Sequence, residues 1–111
     1  MRIDVNEAAG AADGAVLIAN GGFLSERIVT DSNKAAEGAL FIPVIGARVD
    51  GHKFIENAFD NGASAAFTSE ELSEELMEKA ADNGRSVIRV RDTVTAFQRL
   101  AAYYREKYVR I

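Results

Sequence analysis

The chain has 111 residues, of which 48% are hydrophobic and 27% charged. That composition suits one folded domain and argues against disorder. The net charge of −4 argues against non-specific nucleic-acid binding, and the lack of cysteine removes disulfide frameworks and thiolate metal sites.

The start, Met1-Arg2-Ile3-Asp4, has acidic residues close behind it and is no signal peptide. No apolar run reaches the roughly 20 residues of a membrane span. A soluble cytoplasmic protein is therefore expected. Asp4 or Asn6 is placed to cap a short helix through Val5–Ala12, weakened by the glycines at 10 and 14. Ala15–Ala19 reads as a short strand closed by the turn Asn20-Gly21-Gly22, and Arg27–Thr30 as a second. Leu40–Ile45 is a nearly unbroken apolar run, as a strand buried on both faces requires. Pro43 inside it cannot donate to a ladder, which predicts an edge position or a local distortion.

The spacing of Phe54, Ile55, Ala58 and Phe59 predicts a helix over 53–60, stopped at Asn61-Gly62. Ala63–Thr68 is a small-residue strand. Thr68 and Glu71 suit a capping box, and the helix that follows would turn Leu72, Leu76, Met77 and Ala80 inward before Asn83-Gly84. Ser86–Arg91 alternates as a strand. The longest helix starts at Asp92 or Thr93 and runs to about Tyr108, with an apolar stripe of Val94, Phe97, Leu100, Ala101, Tyr104 and Tyr108. The order helix, three strands, helix, strand, helix, strand, helix predicts a layered α/β fold with a mixed, partly parallel sheet flanked by helices. There is one domain, 1–111, with no repeat or linker. The chain stops at Val109-Arg110-Ile111 as a new apolar run begins, which suggests the first part of a longer protein.

No catalytic constellation stands out. His52 is the sole histidine, and no ligand spacing around it supports a metal site. Ser32, His52 and Asp31 or Asp50 could be drawn as a triad, but no nucleophile elbow marks Ser32. Neither a Gly-x-x-x-x-Gly-Lys-Ser/Thr loop nor a Gly-x-Gly-x-x-Gly motif is present. Gly46 and Gly51 bracket a loop between a strand and a helix, where α/β folds place ligands, and amides near 52–54 with Arg48 could take a phosphate. On spacing alone, turns and an Asp50 cap are the preferred reading of that loop, and Asp31-Ser32-Asn33 reads as an ordinary turn. Tyr103 and Tyr104 read as packing rather than stacking surfaces.

Taken together, Thr30-Asp31-Ser32-Asn33-Lys34, Glu37-Gly38 and Ala39 to Ile45, then Gly46-Ala47-Arg48-Val49-Asp50-Gly51-His52-Lys53-Phe54-Ile55, resemble the N-terminal domain of the Mur ligases. The family pattern is roughly T-D-S-R-K, then P-G-D-L-F-V-A-L-K-G, a short variable loop, and D-G-H-D-F-I. Ala58 to Ala66 is similar to its A-x-x-x-G-A-x-A, and the likeness runs over essentially the whole chain. Asp92 to Arg105 resembles the D-T-x-x-A-L-x-x-L-A-x-x-Y-R of the branch that adds D-alanyl-D-alanine. The branch adding the third residue shares the first two motifs and is the alternative. A stand-alone binding module and a plain α/β domain with only a fold-level likeness remain the other readings.

The resemblance implies the first of three domains of an ATP-dependent amide ligase of peptidoglycan synthesis. This domain holds UDP-N-acetylmuramoyl-peptide, and a central ATPase domain in cis carries ATP and Mg2+. The implied domain needs no cofactor or metal of its own, is inactive alone, and acts as a monomer without nucleic acid or membrane. The implied UDP contacts are Thr30, Ser32, Asn33, Gly46, Ala47, Arg48 and Val49, supported by Asp31, Asp50, Gly51 and His52. Four positions depart from the pattern. Asn33 stands for the usual arginine, Ala39 for aspartate, and Pro43 and Ile45 for alanine and lysine. Two cations are thereby lost, and a rigid guanidinium fork with them.

Overall fold

A computed structural model describes residues 2–19, 23–25, 27–44 and 50–108. Two sheets are present among the described residues. Strands β1 (Arg2–Asp4) and β3 (Phe23–Ser25) pair antiparallel in a small sheet. The main sheet has the order β2-β7-β6-β5-β4, built from Ala15–Ile18 (β2), Ile28–Val29 (β4), Leu40–Phe41 (β5), Ala65–Thr68 (β6) and Ser86–Arg89 (β7). β4, β5, β6 and β7 run parallel, and β2 is antiparallel beside β7. The expected mixed sheet flanked by helices is present. The small sheet was not legible, because each of its strands has only three residues.

Alternation along the strands divides the core into two layers. Leu40, Ile42, Ala65, Phe67, Ile88 and Val90 face α1 (Val5–Ala11) and α4 (Thr93–Tyr108), together with Ile3 and Leu24 of the small sheet. Ala39, Phe41, Ala66 and Val87 face α2 (Ile55–Asp60) and α3 (Glu74–Asp82). One extra residue in β2 shifts the register between Val16 and Ile18. Such a bulge reverses the facing of side chains beyond it, so Val16 packs into the first layer, Ile18 into the second, and Leu17 is left exposed.

Several boundaries differ from the expectations. β5 stops at Phe41, and Pro43 is buried beyond its end. The strand is central rather than at an edge, so the distortion takes the form of early termination: Ile42 donates to Val29 at 2.9 Å, and Pro43 has no amide to continue. Helix α3 is capped by Ser73, whose side chain accepts from the Leu76 amide, while Thr68 bonds locally to Glu70. The capping box is therefore absent. On α4 the expected Phe97, Leu100 and Tyr104 pack inward, joined by Ala96 and Tyr103, whereas Val94 is 43% exposed. Asp4 caps α1, Asp92 accepts from the Thr95 amide at the start of α4, and Gly62 and Gly84 take positive φ just past α2 and α3, as the turn chemistry requires.

Candidate functional site

The loops at the carboxyl ends of β4, β5 and β6 lie side by side. After β4, Asp31 accepts a hydrogen bond from the Asn33 amide at 2.9 Å and opens a single 3-10 turn, Ser32–Lys34. This is the ordinary turn chemistry of aspartate. Helix α2 then fixes the turn from the side. Asn57 Nδ2 donates to Ser32 Oγ at 2.7 Å and to Asn33 Oδ1 at 3.2 Å, and Asn61 Nδ2 donates to the Ser32 carbonyl at 3.0 Å. Ser32 is buried under these amides, whereas Thr30 and Asn33 are exposed. With its carbonyl oxygen held by Asn57, Asn33 keeps its own amide hydrogens for a ligand. Asn57 and Asn61 were not among the expected residues. Their spacing of four on a helix is the signal that one face carries two amides.

Of the loop after β5, Gly46, Ala47, Arg48 and Val49 lie outside the described residues. Its far end is closely built. Asp50 accepts from the His52 amide at 2.9 Å and from His52 Nδ1 at 2.6 Å. Gly51 donates to the Val44 carbonyl at 3.0 Å. A Cβ at Gly51 would stand 2.7 Å from the Val44 nitrogen and 2.9 Å from its oxygen. The close backbone approach that glycine permits here is to the chain's own Pro43–Val44 segment.

His52 is buried and joins two loops. Its Nε2 lies 3.0 Å from the Ser69 amide and 3.1 Å from Ser69 Oγ. A backbone amide can only donate, so Nε2 is the acceptor and Nδ1 carries the proton given to Asp50. The hydrogen bond from the His52 amide, followed by that from its ring, holds the Asp50 carboxyl below its ordinary range. Asp50, His52 and Ser69 thus fall in the order carboxylate, imidazole, hydroxyl. The one lone pair of Nε2 is already taken by the Ser69 amide, however, so the imidazole is not free to activate that hydroxyl. Ser32 is bonded to Asn57 instead, and the triad drawn from the sequence is not assembled.

Ligand atoms of Asp50, His52 and Glu70 lie within 4.8 Å of one another. A cation there would have to take Nδ1 from Asp50. The proton displaced to Nε2 would then face the Ser69 amide, donor against donor. The cluster is built as a hydrogen-bonded brace between the β5 and β6 loops.

A family profile described as "Mur ligase family, catalytic domain" matches residues 26–105. The UDP-N-acetylmuramoyl-tripeptide--D-alanyl-D-alanine ligase of Bacillus subtilis is 40% identical over 88 residues, which is 76% of this chain and 17% of that protein. The UDP-N-acetylmuramoyl-L-alanyl-D-glutamate--2,6-diaminopimelate ligase of Oceanobacillus iheyensis is 40% identical over 74 residues, 67% of this chain and 14% of that protein. A crystal structure of MurF from Acinetobacter baumannii superposes with a TM-score of 0.79 at 26% identity, covering 96% of this chain and 22% of that one. The chain therefore spans less than a quarter of the length of each of these proteins. No helix among the described residues is long and apolar enough to cross a membrane.

Proposed function

Because the chain belongs to the Mur ligase family, we propose that it is the domain that holds the nucleotide end of a UDP-N-acetylmuramoyl-peptide, in a cytoplasmic ATP-dependent ligase of peptidoglycan synthesis that adds D-alanyl-D-alanine. The observation that carries this reading is the juxtaposition of the Thr30–Asn33 turn and the Asp50–His52 brace at the carboxyl ends of neighbouring parallel strands. Ligands of open α/β sheets collect at that edge. Thr30 and Asn33 supply exposed polar groups suited to uracil edges and ribose hydroxyls. Ser32, Asp31, Asp50, Gly51 and His52 hold the two loops in place. Gly46, Ala47, Arg48 and Val49 complete the site in this reading, with Arg48 and loop amides toward the diphosphate. ATP and Mg2+ have no fitting residues on this chain, since it carries no phosphate-binding Gly-x-x-x-x-Gly-Lys loop. A central ATPase domain in cis holds them, and the 111-residue chain alone is inactive and monomeric.

The relatives include an enzyme of the 2,6-diaminopimelate-adding branch, so addition of the third residue is the second reading. Amide-resolved NMR titration with UDP tests the site. Shifts are expected at 30–34 and 46–52, and Asn57→Ala weakens binding about tenfold by freeing the turn. Saturating UDP with both loops unmoved overturns the assignment. Tighter binding of the UDP-muramoyl-dipeptide than of the tripeptide would favour the second reading.

A further inference from the structure

A second feature of the same edge lies beyond these loops. After β6 the chain passes to α3, in the layer packed on Phe41 and Val87; after the neighbouring β7 it passes to α4, in the layer packed on Phe67 and Ile88. Adjacent parallel strands whose continuations leave toward opposite faces open a crevice between them, the topological switch point at which α/β sheets bind ligands. A crevice of about 470 Å³ occupies this place, lined by Asp13, Gly14, Ala15, Ser69, Arg89, Val90 and Arg91. This is within the size range of small-molecule sites.

The turn from α1 to β2 forms its far wall. A Cβ at Gly14 would come within 2.8 Å of the Arg89 carbonyl, so glycine lets that turn close against β7. Two arginines border the crevice, Arg89 and Arg91, both exposed. Among the described residues neither has a side-chain partner. The carboxylate in the lining, Asp13, is paired with Arg99 at 3.3 Å. Arg89 also lines a separate groove beside α3 with Glu70, Glu71, Glu74 and Glu78, and Arg91 lines one with Asp13 and Asp92, of which Asp92 caps α4. The crevice therefore brings together Ser69 and two arginines that form no ion pair among the described residues, on a chain whose net charge is −4. An oxyanion with several acceptor atoms fits that set, because guanidinium groups bind phosphate and carboxylate through paired N–H donors.

We propose that this crevice is an anion subsite, separate from the Thr30–Asn33 turn, that binds a phosphoryl or carboxylate group of the substrate. Strand spacing sets its reach. At about 4.8 Å per strand, its centre lies about 12 Å from β4 and about 7 Å from β5 along the sheet edge. A ligand whose base rests between the β4 and β5 loops extends its diphosphate, or the acidic peptide beyond it, to that distance. Ser69 connects the two regions, since it bonds His52 and lines the crevice. The anion's being part of the nucleotide substrate rests on the function proposed above; the binding of an anion by the crevice does not.

The test uses the 111-residue chain and two probes, pyrophosphate and an acidic dipeptide such as L-alanyl-D-glutamate, with amide and arginine side-chain shifts as readout. Saturable shifts at Gly14, Ser69 and 89–91 are expected from one probe. Pyrophosphate as that probe identifies the diphosphate as the source, and the dipeptide identifies the peptide carboxylates. The variant carrying Arg89→Gln and Arg91→Gln is expected to bind that probe at least about tenfold more weakly, and Arg89→Lys with Arg91→Lys to recover part of the loss. Both residues are exposed, so an unchanged far-UV spectrum and amide map verify the fold of each variant. No saturable shift with either probe, or undiminished binding by the double glutamine variant, overturns the subsite. Crevice shifts with pyrophosphate while UDP leaves 30–34 still would overturn the nucleotide reading and keep the subsite. Shifts at 30–34 with UDP and none at the crevice with either probe would do the reverse.

Discussion

Gly51 shows how a short motif can hold two kinds of information. The run Asp50-Gly51-His52 suggests a ligand loop, yet each residue also has a partner inside the chain: Asp50 bonds His52, Gly51 rests against Val44, and His52 reaches Ser69. A methyl group at Gly51 would meet backbone at 2.7 and 2.9 Å, and backbone cannot rotate away as a side-chain tip can. Gly51→Ala is therefore expected to cost about 1–3 kcal/mol, measured as a lower urea midpoint with an unchanged slope. An unchanged midpoint would show that the Pro43–Val44 segment yields freely. Of the site residues, the turn formers Asp31 and Asp50 were legible because their chemistry is local. The amides of Asn57 and Asn61 were not, since they meet Ser32 across 25 and 29 positions of sequence. Only the packing of α2 beside the turn brings them together.

Among the elements, α2, α3 and α4 are readable from a period of 3.6 residues, β2 from a short apolar run, β6 from a run of small residues and β7 from alternation. The start of α3 was misplaced because Thr68 and Glu71 imitate a capping box, while Thr68 completes its bonds within its own turn. The stripe of α4 holds at Phe97, Leu100 and Tyr104 and differs at its margins for another reason. The helix packs on α1 as well as on the sheet, so Tyr103 is drawn inward and Val94 is left out. Glu7 of α1 accepts hydrogen bonds from Lys107 and Tyr103 of α4. Lys107, and then Tyr103, hold the Glu7 carboxyl below its ordinary value of 4.5. The folded value is the depressed one, so this tie stabilises the fold above about pH 4.5 and is lost as pH falls through the folded value. The Glu7 carboxylate in turn raises the Tyr103 hydroxyl above its ordinary 10.0, so that contribution is complete below pH 10 and fades as pH rises through the folded value. Glu7→Gln is expected to lower the thermal midpoint at neutral pH, with the gap to the parent chain closing as pH falls below 4.5. Melting curves followed by far-UV ellipticity would check this. A gap that persists in acid would mean that the carboxylate charge is not what joins the two helices.

At the scale of the whole molecule, the Cα radius of gyration is 12.8 Å, close to the roughly 13 Å expected of one compact domain of this length. The two apolar layers share a single sheet. Phe67 fills one layer and Phe41 the other, both fully buried. Each of Phe67→Ala and Phe41→Ala is expected to cost about 3–5 kcal/mol, a large part of the 5–15 kcal/mol typical of a domain. Because the backbone of the sheet is common to both layers, each variant should still unfold in one transition, with ellipticity and tyrosine fluorescence changing together. Transitions that separate would mean that the layers come apart independently.

The two margins of the main sheet differ in kind but act alike. β4 offers two residues, and β2 is interrupted by its bulge between Val16 and Ile18. An incoming extended segment would find at one margin too short a ladder, and at the other a run of amides and carbonyls out of step. The extra residue that sends Ile18 into the second layer thus also guards the domain against edge-to-edge aggregation, and closing the bulge by deleting Leu17 would sacrifice solubility as well as packing.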